Sequence, residues 1–113
     1  MQIRIPKEAK LERQRINWET DEFDITLRGQ LFMRIVVGGG AYDLGGFRKI
    51  CLNGKRAWDS GPANGARTVL LGNPGMNAME LSYTELTRST QRLANAVISS
   101  VHYGEGGYPC KAS

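Results

Sequence analysis

The sequence has few residues of the kinds that build metal or catalytic sites. Its two cysteines, Cys51 and Cys110, are too few for a disulfide scaffold, so we expect two reduced thiols. Its single histidine, His102, falls in the predicted last turn of a helix, where a cation suits the helix dipole. A zinc site needs three or four ligands at suitable spacing, and these three residues are scattered. We therefore expect no metal, no cofactor and no enzyme activity.

Membrane-spanning runs and export signals are absent as well. No apolar run approaches the length that crosses a bilayer, and residues 1–8 do not combine an apolar region with a cleavage site. No Asn-x-Ser/Thr glycosylation acceptor occurs. With 113 residues, 41% of them hydrophobic, the chain fits one globular domain. These observations predict a cytoplasmic protein without a membrane partner.

The net charge of +4 lies in one part of the chain. Residues 1–28 and residues 76–113 each hold equal numbers of basic and acidic side chains, whereas residues 29–75 hold six basic side chains against two acidic ones. A clustered positive excess indicates a site for an anionic partner better than a uniform one does. A solvated surface on a mildly basic protein is the other interpretation.

The distribution of glycine divides the chain into parts. Eleven of the 14 glycines lie between Gly29 and Gly75, which predicts a turn-rich β region there. The segments before and after it have helix-forming residues, and the last ten residues resemble a mobile end. We therefore expect a single domain over 1–113, made of a charged N-terminal arm or helix (1–20), a β-rich region (22–72), a helix (82–103) and a mobile tail (104–113).

The charged N-terminal segment has two interpretations. Residues 7–12 are good helix formers and Pro6 suits a first turn, which favours a helix over 7–16. The apolar residues of this segment make a poor helical stripe, however. An extended arm that is ordered by a partner or a second subunit is the alternative.

Two neighbouring strands are predicted from hydrophobic alternation. Phe23, Ile25 and Leu27 alternate with polar residues, which is the period of a half-buried strand, and residues 31–37 are rich in β-forming residues. A three-residue connection over 28–30 keeps the apolar faces of both strands together. This register places Leu27 opposite Leu31, Ile25 opposite Met33, Phe23 opposite Ile35 and Asp24 opposite Arg34.

A β-hairpin is predicted over 47–58. The pair Asn53-Gly54 suits a type I′ turn, because that turn needs positive φ at both central residues. The turn pairs Leu52 with Lys55, Cys51 with Arg56, Ile50 with Ala57 and Lys49 with Trp58. One face then carries Ile50, Leu52 and Ala57, and the other carries Phe47, Lys49, Cys51, Arg56 and Trp58. The second face is cationic and aromatic, a combination that suits phosphates and stacked bases.

The C-terminal helix has several possible starting points. Ser82 and Glu85 have the spacing of a capping box, and Asn77 and Glu80 have the same spacing earlier in the chain. In the alternative, residues 79–83 form a further strand and the helix begins near Ser89. Leu86, Leu93, Val97 and Val101 keep one helical face, and Gly104 ends the helix. With any start, a helix over 90–102 is expected to pack its Leu/Val face on the sheet.

These elements predict an α+β protein: an antiparallel β-meander of about five strands with one C-terminal α-helix packed on the sheet. The residues predicted to bind nucleic acid or phosphate are Arg48, Lys49, Lys55, Arg56, Trp58, Arg88 and Arg92.

Two hypotheses about function follow. The first is a small non-catalytic binding protein whose hairpin engages nucleic acid, a nucleotide or another phosphorylated small molecule. The second is a protein–protein interaction module, which means an inhibitor, an adaptor or a self-assembling subunit of a homo-oligomer. Edge strands, the N-terminal arm and the apolar run 31–37 favour the second, because all three suit subunit pairing.

Overall fold

A computed structural model describes residues 2–16, 20–39, 42–75, 77–104 and 106–111 of the chain. This part of the chain forms seven β-strands and then one α-helix, so the α+β class is confirmed and the expected number of five strands is wrong. The elements are β1 (Ala9–Ile16), β2 (Asp21–Leu27), β3 (Gln30–Gly39), β4 (Arg48–Leu52), β5 (Lys55–Asp59), β6 (Arg67–Asn73), β7 (Asn77–Tyr83) and α1 (Arg88–Ser99).

The seven strands form one antiparallel sheet in the order β1-β2-β3-β7-β6-β5-β4. The sheet is therefore two meanders, β1–β3 and β4–β7, rather than the single meander that the sequence predicted. The two meanders join where β3 pairs with β7. The chain leaves β3 at Gly39 and re-enters the sheet at Arg48, on the far edge. Strands β1 and β4 are the two edges.

The N-terminal segment contains a strand, so the predicted helix over 7–16 is wrong. Strand β1 pairs with β2 along its length, with Leu11 opposite Ile25 and Arg13 opposite Phe23. The helix propensity of residues 7–12 is a weak local preference, and the ladder of β1–β2 hydrogen bonds outweighs it. The alternative of an extended segment is therefore correct for residues 9–16, although their partner is the chain's own β2.

The hairpin of β2 and β3 keeps the predicted register over most of its length. The pairs Phe23–Ile35, Asp24–Arg34 and Ile25–Met33 are confirmed. The predicted pair of Leu27 with Leu31 is wrong, because Arg28 and Gly29 alone form the turn, both with positive φ (54° and 78°). A bulge between Ile25 and Thr26 then restores the apolar register beyond the turn.

The region predicted as a helix over 82–103 divides into a strand and a helix. Strand β7 ends at Tyr83, and Thr87 caps α1 by accepting a hydrogen bond from the Thr90 N–H. The alternative start near Ser89 is therefore the correct one. The helix ends before His102, which instead forms an isolated β-bridge with Gln2. No helix in the described ranges has both the length and the hydropathy needed to cross a membrane.

The helix covers one face of the sheet and completes the core. Its inward side chains are Ala94, Val97 and Ile98, whereas Leu93 is 45% exposed, so the predicted packing face was wrong at that position. These side chains form one cluster with core residues of the sheet, among them Ile25, Ile35, Val69, Leu71, Met79 and Leu81. We call the side of the sheet that packs against α1 the helix face, and the opposite side the open face.

Candidate nucleic-acid interface

The hairpin formed by β4 and β5 has the predicted turn and the predicted register. Asn53 and Gly54 both have positive φ (48° and 83°), as a type I′ turn requires. All four predicted pairs of the ladder are confirmed, and a fifth joins Arg48 to Asp59. The hairpin lies at one edge of the sheet, where β4 has a neighbour on one side only.

Alternation along the hairpin divides its side chains between the two faces. Ile50, Leu52 and Ala57 pack into the core on the helix face. Their sequence neighbours Lys49 and Arg56 are exposed and point to the open face, because successive strand residues point to opposite sides. The cationic face that the sequence predicted is therefore the open face of the sheet.

Of the two aromatic residues predicted on that face, Phe47 is half-buried, and Trp58 is only 8% exposed, so the prediction of an exposed Trp58 is wrong. Its ring packs edge-on against Tyr108 of the C-terminal segment, with 6.1 Å between the ring centroids and 82° between the planes. Trp58 also lies opposite Leu70, which is fully buried. A base that stacks on Trp58 would have to displace Tyr108. The structure therefore assigns Trp58 a packing role.

The C-terminal segment is attached to the hairpin, although the sequence predicted a mobile tail and two free thiols. Cys110 forms a disulfide with Cys51 of β4. The Arg56 N–H donates to the Tyr108 carbonyl at 2.7 Å, and the Cys110 N–H donates to the Gly54 carbonyl at 2.9 Å. Of the predicted tail, residues 105, 112 and 113 lie outside the described residues. Both cysteines are therefore occupied, and neither is available as a thiolate or a metal ligand.

The turn of the hairpin also binds the end of α1. The Asn53 side-chain amide donates to the carbonyl of Ser99 at 2.8 Å and to the carbonyl of Val101 at 2.6 Å. Carbonyls at a helix C-terminus have no partner within the helix, so an external donor satisfies them. Asn53 therefore has two roles: its backbone forms the turn and its side chain attaches the hairpin to the helix.

A buried ion pair fixes the other end of the hairpin. Asp59, 3% exposed, accepts two hydrogen bonds from Arg67, at 3.0 and 2.8 Å, and one from the Gly61 N–H at 2.8 Å. Burial raises the pKa of Asp59, but the bonds from Arg67 and Gly61 and the charge of Arg48 outweigh it and lower the pKa below its ordinary value. Arg67 also donates to Asn95 of α1 at 2.9 Å. This network joins β5, β6 and the helix.

The hairpin cations remain available to an external anion. Lys49 and Arg56 are exposed on the open face. Alternation places Arg48, which is exposed, and Lys55, which is half-buried, on the other side of the same edge hairpin. No carboxylate in the described part of the chain forms an ion pair with any of the four. The carboxylate closest to them in the ladder, that of Asp59, is already bound by Arg67. Exposed lysines bind phosphates as point charges, and exposed arginines can bind them through two parallel hydrogen bonds.

The two helix arginines do not extend the open face. Arg88 and Arg92 are exposed on α1, and α1 lies on the helix face. The hairpin turn meets α1 at Ser99, eleven residues after Arg88, which corresponds to about 16 Å of helix. The structure therefore separates Arg88 and Arg92 from Lys49 and Arg56 by the thickness of the sheet. They form no common surface with them.

Comparisons with protein-family models, with curated proteins and with solved structures find no match to this chain. The functional conclusion therefore depends on the residues described above.

Proposed function

We propose that this is a non-catalytic binding protein whose β4–β5 hairpin engages the phosphates of nucleic acid. The observation that supports this function is the set of four hairpin cations, none of which has an ion-pair partner among the described residues. They lie on an edge hairpin, where a polyanion can approach β4 from outside the sheet. The region 29–75, to which they belong, also carries the whole net charge of the protein.

The contacts are electrostatic rather than base-specific. Trp58 is buried, so the hairpin offers phosphate contacts without a stacking platform. Binding to phosphates releases counterions, and the affinity therefore falls steeply as salt rises. We expect binding that tolerates sequence changes and is strongest at low ionic strength. A nucleotide or another phosphorylated small molecule makes fewer of these contacts and binds more weakly.

The hairpin is held in a fixed position before any ligand arrives. The Cys51–Cys110 disulfide, the Asn53 bonds to α1 and the Asp59–Arg67 pair attach it at three places. A preorganised backbone reduces the entropy that binding costs, although the lysine and arginine side chains must still be ordered.

Fluorescence anisotropy with labelled oligonucleotides tests the proposal. Neutralising both open-face cations, with Lys49→Gln and Arg56→Gln together, should weaken binding and reduce the slope of log affinity against log salt by about two. The matched control is Lys7→Gln with Lys10→Gln, which removes the same charge from exposed positions before and within β1. The control should leave most of the affinity intact.

Two results would contradict the proposal. If the wild-type protein binds neither single- nor double-stranded oligonucleotides at low salt, nucleic acid is not the partner. If the hairpin variant and the control variant lose equal affinity, only the overall charge matters and the hairpin is not the site. Circular dichroism of both variants checks that they keep the fold.

Self-assembly is the second candidate, and one observation favours it. Strand β1 is an unpaired edge of the sheet, and Leu11 on it is 51% exposed. The apolar run 31–37 supports self-assembly less than the sequence suggested, since Phe32, Met33 and Ile35 on it are buried in the chain's own core. Sedimentation equilibrium of the wild-type protein tests this candidate, and a monomer would count against it.

We do not propose the cytoplasmic location that the sequence predicted. That prediction depended on the lack of an export signal and of glycosylation acceptors, and it implied two reduced thiols, but the structure joins them as a disulfide. Disulfides form and persist mainly in oxidising compartments. We propose such a compartment instead, and expect thiol titration of protein prepared without reductant to find no free cysteine.

A further inference from the structure

A cavity of about 770 Å³ opens on the helix face, at the β1–β3 end of the sheet. Strands β1, β2 and β3 contribute its floor through Leu11, Phe23 and Ile35. The N-terminal segment and the chain just after α1 form its rim, through Arg4 and His102 among others. This volume falls in the range of small-molecule sites. The floor of the cavity belongs to β1–β3 and not to the β4–β5 hairpin, so the inference about it does not rest on the proposed function.

The floor of the cavity is apolar and partly uncovered. Ile35 is buried at its base, Phe23 is half-buried, and Leu11 is 51% exposed. Leu11 is the most exposed of the large hydrophobic side chains in the described residues. An exposed leucine beside an aromatic ring in a concave surface gains free energy when an apolar group covers it.

The rim is preformed by contacts between distant parts of the chain. The Gln2 N–H donates to the His102 carbonyl at 2.9 Å, and the His102 N–H donates to the Gln2 carbonyl at 2.8 Å. The Arg4 N–H donates to the Ser100 Oγ at 2.8 Å. These bonds use the backbones of Arg4 and His102 and leave both side chains exposed. A ligand therefore meets a rim that is already in place.

The charge of the cavity has one sign. Among its described lining residues, Arg4 carries a positive charge and none is a carboxylate. The Asp21 carboxylate, two residues before Phe23, accepts a bond from Arg13, whose guanidinium stands 5.9 Å from the centre of the Phe23 ring. The Arg4 guanidinium has no ion-pair partner among the described residues. An apolar floor with an arginine at its rim is complementary to a molecule with an apolar body and one anionic group.

We propose that this cavity binds a small amphipathic carboxylate, of the kind represented by a medium-chain fatty acid. The hydrocarbon chain lies on Leu11 and Phe23, and the carboxylate accepts hydrogen bonds from the Arg4 guanidinium. The floor spans three strands, which leaves room for a flexible chain. The ligand class follows from the sign of the charge and from the apolar floor together.

Isothermal titration calorimetry with decanoate tests the proposal. Decanoate should bind, and decyltrimethylammonium, which has the same chain with the opposite charge, should not. Arg4→Gln should weaken decanoate binding about tenfold, because it removes a hydrogen bond to a charged group. Leu11→Gln should weaken it by a similar factor by making the floor polar.

The matched control is Leu31→Gln, an exposed leucine of β3 outside this cavity. It should leave decanoate affinity unchanged, and thermal unfolding shows whether each variant keeps the fold. If decanoate does not bind, or if Arg4→Gln and Leu11→Gln bind it as tightly as the wild type, the proposal is wrong. Equal binding of both detergents overturns the carboxylate preference. A dimer that Leu11→Gln dissociates, together with no decanoate binding, would show that a second copy of the chain covers the floor instead.

Discussion

At the β1–β3 end of the sheet, charged side chains neutralise each other across the strands. Arg34 lies between two carboxylates of β2, 2.7 Å from Glu22 and 2.9 Å from Asp24, and Arg13 reaches Asp21 at 3.2 Å. At the β4–β5 end, the exposed cations form no ion pair with the described carboxylates. The two ends have similar strands but opposite electrostatic character. The strand arginines Arg13 and Arg34 are therefore already neutralised, whereas the hairpin cations of the β4–β5 end are available to a polyanion.

The two ends are also attached to the rest of the sheet in different ways. Strands β1 and β2 pair at seven positions, as do β2 and β3. Strands β5 and β6 pair at only two, Trp58–Leu70 and Asp59–Val69. The hairpin is attached in addition by a disulfide, a side-chain bond to the helix and a buried ion pair, which offset the short β5–β6 ladder. Long backbone ladders hold one end, whereas the other adds a disulfide, side-chain bonds and two backbone bonds to the C-terminal segment to a short ladder.

Removing the disulfide should give the largest loss of stability. The bond joins residues 59 positions apart, so its loss enlarges the unfolded ensemble and should lower the free energy of unfolding by about 4 kcal/mol. Urea denaturation of Cys51→Ser with Cys110→Ser measures this loss. Dithiothreitol should lower the stability of the wild type and have no effect on the double variant. A wild type that is insensitive to dithiothreitol would show that the hairpin does not depend on the covalent bond.

Removing the bond between the hairpin turn and the helix should have a smaller effect. Asn53→Asp keeps a residue that tolerates the turn conformation but replaces the donor amide with a carboxylate, so we expect a loss of about 1 kcal/mol. Asn64→Asp is the matched control, since Asn64 also precedes a glycine, has a φ of 53° and is exposed. Urea denaturation should leave the control near the wild type. Equal losses in both variants would assign the effect to the turn rather than to the helix contact.

The smallest expected effect concerns Glu80 on β7, beside the charge pairs of the β1–β3 end. Burial and the nearby Glu22 raise the pKa of Glu80 above its ordinary value of 4.5, although Arg34 opposes them. A raised pKa in the folded state means that the protonated form is favoured there. Glu80 therefore contributes stability below pH 4.5 that is lost as the pH rises through the folded pKa.

Glu80→Gln should accordingly raise stability at pH 7 and change it little at pH 4. Urea denaturation at both pH values measures the difference. Glu8→Gln, at an exposed position, is the control and should be neutral at both. A variant that loses stability at pH 7 would show that the attraction between Glu80 and Arg34 exceeds the cost of burial. The β1–β3 end would then depend on ion pairs more than its ladders suggest.

The parts of the fold that were predicted correctly are those determined by turn residues and by hydrophobic alternation within a few neighbouring residues. Asn53-Gly54 determines a turn and, through it, the register of the whole β4–β5 ladder. Hydrophobic alternation determines the faces of β2 and most of its register with β3. Strand β1 was not predicted, because its charged residues are good helix formers and the extended form is selected only by pairing with β2.

The parts of the candidate site that the sequence missed depend on contacts between distant residues. A pair of cysteines 59 residues apart gives no signal of its geometry, so the disulfide and the burial of Trp58 by Tyr108 had no local cue. Asp59 did have a local cue, because extending the predicted β4–β5 ladder by one pair places Asp59 opposite Arg48. Its actual partner, Arg67, lies on the following strand and was not identified by that register.

The pairing of β3 with β7 has a consequence for synthesis on the ribosome. The β1–β3 meander is complete once residue 39 has emerged, but the inner edge of β3 has no partner until β7 (Asn77–Tyr83) follows, 38 to 44 residues later. During that interval the strand exposes unpaired backbone groups next to Phe32, Met33 and Ile35. The nascent chain therefore passes through a state prone to aggregation, and it leaves that state only when its C-terminal half arrives.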